Sequence, residues 1–547
     1  MPRDRATPNE RLRFEGPHWV ESAIEQELQA DGSVSVHLML DEASGGLLVL
    51  RVSRTSDGVS LIPEVGAVES TSGDIGFCVP LDRLALPGES VIVHYDYRSI
   101  PVEAWLTRGD GRTKLSLSAP RVMVANDSVP DVLVDPTQKY QPIEGFGAAL
   151  TESSAYLIAT SPHRDEIMRR LFSREANGIG LSYVRIPLGA SDFALDWFTY
   201  DDEGLNEDLS SFSIDRDRMY VIPLLKEALR INPDLKIMGS PWSAPGWMKT
   251  ENSGPKGLLG GRLQDDMNEV FARYLIRILR AYRDEGLELH TLSLQNEPLY
   301  DSAPYPSMFM SPNRQIDIIE RMRPLFDEYD LSTGIVVYDH NWDRLDYVQQ
   351  VYDGLSESAY ALTVGSAWHA YAGRPESQTT VHDAYPDKGI YFTEITGGSW
   401  DVQFASILDW NMRNILIGSV RNWARNVLLW NLALNETGGP SLRLDADDVH
   451  LRGVLEVTPD DFSLSPEFYI LGHLSKFVLP GAFRIASTNG QDVLSVAFQN
   501  PNGSMVALVH NPDPTEIHSF TVGVGSSSFE YQLQPRSCAT FIWTDPL

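Results

Sequence analysis

The hydrophobic pattern changes twice along the chain and divides it into three stretches. Residues 1 to about 125 contain short alternating or β-branched runs, such as Ser33–Leu40, which are separated by clusters of Gly, Asp and Ser. Similar runs return near the end of the chain, for example at Val493–Phe498, where Asn502-Gly503 is a hairpin signal. Short strands at this spacing are typical of β-sandwiches, so the pattern predicts a β-rich region at each end.

The middle stretch alternates strand-like and helix-like patterns. Amphipathic helical periodicity is clear at Gln264–Glu285 and at Pro312–Tyr329. Such alternation implies right-handed βαβ units and a parallel sheet, and eight units are the number of a closed (β/α)8 barrel. The eight strand signals are Ile143–Phe146, Leu181–Pro187, Leu235–Gly239, His290–Leu294, Gly334–Tyr338, Ala361–Trp368, Gly389–Phe392 and Val427–Trp430.

Charge and composition narrow the range of partners. The chain has 75 acidic and 44 basic residues, a net charge of −31, which disfavours nucleic acids and anionic membrane surfaces. No run reaches the ~18 apolar residues of a membrane-spanning helix, and no secretory signal is visible, so we expect a cytoplasmic protein without membrane insertion. The two cysteines, Cys78 and Cys538, exclude a disulfide framework and a cysteine-built zinc site. No cofactor is expected, and the oligomeric state stays open.

Candidate chemistry should lie at the C-terminal ends of the barrel strands, where the βα-loops converge. Two glutamates stand out there: Glu297, in Gln295-Asn-Glu-Pro298 after the fourth strand, and Glu394, after the seventh. Hydrolysis of a glycosidic bond requires two carboxyl groups that flank the bond. The other polar or aromatic residues at strand ends are Arg185, Asp192, Trp242, Asn296, Asp339, His340, His369, Tyr371, Trp400, Trp430, Asn431 and Asn435.

Strands four and seven lie on roughly opposite sides of a small barrel, which could place the two carboxyl groups ~5–5.5 Å apart and give retention of configuration. Glu297 is then expected to be the acid/base, which needs a raised pKa, and Glu394 the nucleophile. Asn296 could bind the sugar 2-hydroxyl. Arg185 and Tyr371 are plausible donors that keep Glu394 ionised.

Each of these residues also has a structural interpretation. A strand-end glutamate is often a salt-bridge partner, and Trp247 or Trp400 could serve packing as well as sugar stacking. His340 and His369 resemble metal ligands, but they lack a short ligand spacing such as HExxH, which favours a hydrogen-bonding role.

Taken together, the motifs resemble glycoside hydrolase family 30, in particular its glucosylceramidase-like branch. The resemblance runs from about Val134 to the C-terminus. The matching segments are Gly145–Glu152, Arg185–Phe193, Phe198–Asp202, Ser240–Lys249, Gln295–Pro298, Trp430–Asn435, Gly438–Pro440, Phe468–Tyr469 and Gly472–Phe477. The chain departs from the branch after Gly438-Gly-Pro440, where Ser441–Asp448 replaces a segment with a sugar-contacting asparagine, and in its longer β-rich lead-in.

The resemblance implies a catalytic (β/α)8 barrel over residues 141–455 and a β-sandwich built from residues 126–140 and 456–547. Residues 1–125 would form an additional N-terminal domain: a structural element, a carbohydrate-binding module, a dimerisation surface or a wall of the active site. The resemblance also implies Glu297 as acid/base and Glu394 as nucleophile. The residues implied to bind glucose in subsite −1 are Asp192 and Trp242, at the outer hydroxyls, and Asn296, Tyr371 and Trp430.

The resulting prediction is a retaining, exo-acting glycoside hydrolase that removes a terminal β-D-glucosyl residue. The alternatives are a β-1,6-glucanase, a β-glycosidase for xylosides, fucosides or galactosides, and a carbohydrate-binding barrel without catalysis. In every case the expected partner is a carbohydrate or glycoside.

Overall fold

The computed structural model describes residues 100–126, 128–203, 207–301, 304–444 and 450–544, together with the backbone of seven strands before residue 98. These N-terminal strands form two sheets. One contains, in spatial order, Leu12–Glu15, Val91–Tyr97, Leu48–Arg54 and Val65–Val68, and the other contains Ile24–Leu28, Val34–Met39 and Asp74–Val79.

Eight parallel strands close into a barrel, which confirms the predicted (β/α)8 fold. Closure is complete because the first strand pairs with both the second and the last. The barrel strands are β1 (Gly145–Ala149), β2 (Tyr183–Pro187), β3 (Lys236–Ser240), β4 (Thr291–Ser293), β5 (Gly334–Asn341), β6 (Thr363–His369), β7 (Gly389–Glu394) and β8 (Ala424–Leu429).

Helices surround the barrel. Their bounds are Glu152–Thr160, Arg164–Phe172, Val221–Ile231, Asn268–Asp284, Pro312–Tyr329, Leu345–Gly354, Glu357–Tyr360, Glu376–Ala384, Phe404–Asn411 with its π-helical continuation Met412–Ser419, and Pro466–Ser475. The sequence pattern missed Glu152–Thr160 because the face that this helix buries includes Glu152, Ser153 and Ser154. In the described part of the chain, no helix is both long and apolar enough to cross a membrane.

A ten-stranded sheet forms the C-terminal β-sandwich, as predicted. Val132–Pro142 pairs with strands from the end of the chain. Ile100–Thr107 and Arg121–Ala125, which the sequence pattern placed in the N-terminal domain, belong to the same sheet. The order is Arg121–Ala125, Ser527–Leu533, His518–Val524, Val132–Pro142, Phe483–Ser487, Leu494–Gln499, Met505–His510, Cys538–Trp543, Ile100–Thr107 and Ser116–Leu117.

The strand Arg121–Ala125 closes this sheet on itself. It pairs with Ser527–Leu533 at one end of the sheet and with Ile100–Thr107 near the other. The sequence-based boundary at residue 125 therefore falls inside the sheet. Alternation of apolar residues along a strand such as Ile100–Thr107 carries no information about which distant strand pairs with it.

A charged cluster closes the N-terminal face of the barrel. Glu144, directly before β1, accepts a hydrogen bond from His290 Nε2 at 2.6 Å and one from the Tyr391 hydroxyl at 2.9 Å. Lys236 and Arg425 lie 3.4 Å and 3.7 Å from the same carboxylate. Burial opposes the charge of Glu144, but these donors outweigh it and hold its pKa at about 2. The cluster therefore links β1 to β3, β4, β7 and β8 at the face of the barrel associated with stability.

Replacing Glu144 by Gln should lower the free energy of unfolding at pH 7 by about 3 kcal/mol, because each unit of pKa depression is worth ~1.4 kcal/mol. This stabilisation is fully present at pH values above 4.5, the ordinary pKa of a glutamate. It is lost as the pH falls to about 2, the pKa of Glu144 in the folded protein. Urea denaturation of parent and variant across this pH range measures the difference. Glu530→Gln, at an exposed strand position, is the matched control, and an equal effect in both variants would contradict the prediction.

Candidate active site

Glu297 and Glu394 meet at the C-terminal end of the barrel. Glu394 is the last residue of β7, and Glu297 lies in the loop after β4. A carboxylate oxygen of each and a ring nitrogen of His369, the last residue of β6, lie within 4.8 Å of one another. This proximity suits direct attack by one carboxylate, since pairs that activate an intervening water stand ~6.5–9.5 Å apart.

Arg185 on β2 connects the groups around the two glutamates. Its side chain is completely buried, and its Nη1 donates a hydrogen bond to Glu394 Oε2. Its Nη2 donates to Asn296 Oδ1 at 2.7 Å, to Asp339 Oδ2 at 2.8 Å and to Ser240 Oγ at 3.3 Å. Burial disfavours the guanidinium charge, but the two carboxylates more than compensate and raise the pKa of Arg185.

Asp339 on β5 is the buried counterion of this arginine. Besides the contact with Arg185, it accepts hydrogen bonds from Ser240 Oγ at 2.8 Å and from Thr393 Oγ1 at 2.8 Å, and His369 Nε2 lies 3.1 Å away. Burial opposes its charge, yet the guanidinium and the imidazole hold the pKa of Asp339 far below its usual range. Asp339 is therefore an ionised acceptor that orients both basic groups.

The backbone is strained around this carboxylate. Tyr338 and Asp339 have φ values of 75° and 76°, and the pairing of β5 with β6 shifts in register at this point. Glu297 has a φ of 45°, and its N–H donates to the carbonyl oxygen of Asp339 at 3.0 Å. Non-glycine residues occupy this left-handed region rarely and at an energetic cost. The distortion lies at the two residues whose carboxylates contact His369.

His369 lies between the carboxyl groups of Glu297 and Asp339 and contacts both. Asp339 can only accept, so Nε2 carries a hydrogen, while Nδ1 lies 3.2 Å from Glu297 Oε1. Burial opposes protonation, but the charge of Glu394 and the bonds to Asp339 and Glu297 raise the pKa of His369 to about 9. The second proton lies between Nδ1 and Glu297. A metal ion would have to displace that proton, so the hydrogen-bonding role that the sequence favours for His369 fits the geometry.

The charge state of Glu297 differs from the sequence-based expectation of a raised pKa. Burial does favour its neutral form, but the hydrogen bond and charge of His369 lower the pKa of Glu297 overall. For Glu394, burial raises the pKa, and the charges of His369 and Arg185 offset this effect only in part. The Tyr371 hydroxyl donates to Glu394 Oε1 at 3.0 Å. One proton is thus held jointly by Glu297 and His369.

Two tryptophans and one aspartate line the space next to the carboxylates. Trp242 and Trp430 are buried and stacked, with ring centroids 5.0 Å apart, and the Arg185 guanidinium lies 4.8 Å from the Trp242 ring. Asp192 is also buried, and burial together with the charges of Glu394 and Glu297 raises its pKa to about 8, although Arg443 and Trp430 counteract this shift.

Trp400 and Trp247 lie outside this group of side chains. Trp400 is 60% exposed, and its ring lies against Gly398, where a Cβ would come within 2.1 Å of the indole. Trp247 donates from Nε1 to the carbonyl oxygen of Asp201 at 2.7 Å, a structural contact. His340, in contrast, is close to the reaction centre, with Nε2 3.8 Å from Glu297 Oε1, and burial lowers its pKa.

Sequence reasoning missed two residues of this site. Tyr305, in the loop after β4, packs against the buried cluster that contains Trp242 and Trp430, and burial with the charges of Glu297 and Asp192 raises its pKa. Arg443, in the loop after β8, has its Nη1 3.9 Å from Asp192 Oδ2. Both residues lie in irregular segments without hydrophobic periodicity, so no pattern in the sequence indicated them. Residues 445–449 of the departing segment lie outside the described residues.

Comparison with known proteins agrees with this architecture. The chain is 29% identical to an endo-1,6-β-D-glucanase of Trichoderma harzianum over 80% of this chain and 91% of the relative. It is 28% identical to the lysosomal acid glucosylceramidase of Mus musculus over 85% of this chain and 92% of the relative. The solved structure of the endo-β1,6-glucanase BT3312 superimposes with a TM-score of 0.73 at 29% identity, covering 81% of this chain and 99% of that one.

Two family models divide the matched region. Residues 143–478 match the glycosyl hydrolase family 30 TIM-barrel domain, and residues 481–541 match the family 30 β-sandwich domain. The first match alone covers more than half of the chain and contains both glutamates. The chain therefore belongs to glycoside hydrolase family 30.

Proposed function

We propose that this family 30 hydrolase cleaves β-1,6-linked glucan with retention of configuration, using Glu394 as nucleophile and Glu297 as acid/base. The proposal is carried by the position of the two carboxylates and His369 within 4.8 Å of one another in a buried cluster. The choice of linkage is supported by the similarity to enzymes named as endo-1,6-β-glucanases. The similarity to a glucosylceramidase favours a second candidate, the removal of a terminal β-glucosyl residue.

Glu394 is suited to attack the anomeric carbon. The Arg185 guanidinium and the Tyr371 hydroxyl each donate to one of its oxygens, and the charge of Arg185 offsets part of the rise in pKa that burial causes. Attack forms a covalent glycosyl-enzyme ester and breaks the bond between the anomeric carbon and the leaving oxygen. Water then attacks the anomeric carbon of the ester, and Glu394 leaves as a carboxylate.

Glu297 supplies the proton for the first step and accepts one in the second. In the free enzyme the proton rests between Glu297 and Nδ1 of His369, whose pKa of about 9 keeps the pair protonated at neutral pH. When the glycosidic oxygen approaches, Glu297 passes this proton to it. The resulting carboxylate takes a proton from the attacking water, which restores the pair.

Asn296 is oriented for the sugar 2-hydroxyl. Its Oδ1 accepts from Arg185 Nη2 at 2.7 Å, and because a guanidinium can only donate, the orientation of the amide is fixed. The NH₂ group is left to donate into the pocket. A hydrogen bond to the 2-hydroxyl at this position strengthens as positive charge develops on the sugar ring in the transition state.

Substitution of the two glutamates should separate their roles. Glu394→Gln should reduce hydrolysis of an aryl β-glucoside to background, because the nucleophile is lost. Azide should rescue Glu394→Gly with inversion and Glu297→Ala with retention, since it replaces the nucleophile in the first case and the water in the second. Proton NMR of the glycosyl azides identifies the anomer. The surface variant Glu376→Gln serves as control, and exchanged stereochemistry would reverse the assignment.

The shared proton should set the alkaline limit of activity. The kcat/KM of the parent should fall as the pH rises through about 9, where the Glu297–His369 pair loses its proton. In His369→Asn the proton is held by Glu297 alone, so this limit should move to lower pH. A pH profile with an aryl β-glucoside tests the shift. An unchanged alkaline limit in the variant would refute a role for His369 as proton partner.

The linkage can be determined with a panel of substrates. We expect turnover of β-1,6-glucan with a series of soluble β-1,6-oligosaccharides as products, measured by chromatography and by NMR. Release of glucose alone would instead favour terminal cleavage. Glucosylceramide turnover that exceeds turnover of every β-1,6-glucan substrate would replace the main proposal with the second candidate.

A further inference from the structure

A short segment crosses the outer end of the sugar pocket. Residues Ser441–Leu444, here called the strap, follow β8 and contact the loops after β2 and β4. Ser441 Oγ and Leu442 N donate to the carbonyl oxygen of Asp192 at 3.0 Å and 2.7 Å, and Leu444 N donates to the carbonyl oxygen of Pro304 at 3.0 Å. The strap thus connects the loop after β2 with the loop after β4.

Arg443 is the central charged residue of the strap. Its Nη1 lies 3.9 Å from Asp192 Oδ2, and its guanidinium lies 5.2 Å from the centroid of the Tyr305 ring. The Tyr305 side chain packs against the buried cluster that contains Trp242 and Trp430. Arg443 and Tyr305 therefore continue the wall of the pocket from the stacked tryptophans to Asp192.

The Asp192 carboxylate has capacity left for a ligand. It is only 4% exposed, and Oδ1 has no hydrogen-bond partner among the described residues, whereas Oδ2 faces Arg443. A buried, unpaired carboxylate oxygen is costly, and a sugar hydroxyl would satisfy it. The charged groups that face Asp192 are Glu394, Glu297 and Arg443, and of these only Arg443 favours its ionised form.

The end of the pocket near Asp192 can distinguish glucans by the hydroxyls that their linkage leaves free. In a β-1,6-linked glucan the 2-, 3- and 4-hydroxyls of each glucose are free, and only O6 carries the neighbouring sugar. In β-1,3- and β-1,4-linked glucans O3 or O4 is occupied instead. A pocket that encloses the edge of the ring bearing the 3- and 4-hydroxyls therefore accepts an internal unit of a β-1,6-glucan and excludes the other two.

We infer that the strap selects this linkage, with Arg443 as a positioning residue that orients the Asp192 carboxyl group toward the sugar hydroxyls at the outer end of subsite −1. This inference rests on the proposed function. It explains how a pocket closed at Asp192 is compatible with cleavage inside a polymer: O6 points away from the strap while the free hydroxyls face it.

The test compares Arg443→Ala and Arg443→Lys with Arg321→Ala, a control in which a half-exposed helical arginine loses two carboxylate partners. For β-1,6-oligosaccharides, Arg443→Ala should raise KM about tenfold with a smaller change in kcat, because the cation that faces the Asp192 carboxyl group is lost. The preference for β-1,6- over β-1,3- and β-1,4-oligosaccharides should decrease. Arg443→Lys should restore part of both values.

A pH profile separates positioning from a loss of structure. Without Arg443, burial and the two glutamates raise the pKa of Asp192 further, so the acid limb of kcat/KM should move to higher pH in Arg443→Ala and not in Arg321→Ala. Thermal unfolding of each variant checks that the fold is retained. Parent-like KM, linkage preference and acid limb in Arg443→Ala would overturn the inference.

Failure of the proposed function would give different results from failure of the inference about the strap. A parent enzyme that prefers β-1,3- or β-1,4-oligosaccharides would overturn both proposals, because the strap would then admit a sugar at O3 or O4. If the parent cleaves none of these substrates, the proposed function fails. Calorimetric measurement of glucose binding to the parent and to Arg443→Ala then tests the positioning role of Arg443. Glucose affinity that falls in Arg443→Ala supports the positioning role, and unchanged affinity overturns it.

Discussion

The active site depends on one buried guanidinium. Arg185 has no exposed surface, and a cation removed from water is stable only where carboxylates and hydrogen-bond acceptors surround it. Asp339 and Glu394 neutralise it, and Asn296 and Ser240 accept further hydrogen bonds from its Nη2. Because a guanidinium donates in fixed directions, it sets the orientation of each of these groups. Loss of a single partner would leave a buried charge uncompensated, so the cluster forms as a unit.

Much of this arrangement could be predicted from the sequence. Apolar strand runs predicted the barrel, and charged residues directly after such runs marked Glu297 and Glu394, because a charge beside a buried strand requires a reason. What could not be predicted depends on contacts between distant segments. The pairing of Ile100–Thr107 with the last strand, the proton shared by His369 and Glu297, and the position of Arg443 are examples.

The pKa of Glu297 illustrates the limit of reasoning from residue type. A catalytic acid in a buried site is expected to have a raised pKa, as burial alone would give. His369 reverses the direction because Asp339 on its other side stabilises the imidazolium. Three side chains, from β5, β6 and the loop after β4, produce this outcome. Motifs show which residues are present, whereas the balance of burial and charge is a property of the assembled barrel.

The sandwich is built from two pieces of chain that flank the barrel. Ile100–Thr107 and Val132–Pro142 pair with strands that follow Phe483, so the barrel sequence lies between the two halves of one sheet. During synthesis the first half leaves the ribosome long before its partners exist. Its exposed strand edges then need protection from aggregation until the chain is complete. The barrel can close before the sandwich does, and the last strand to emerge, Cys538–Trp543, joins the early strand Ile100–Thr107 to the rest of the sheet.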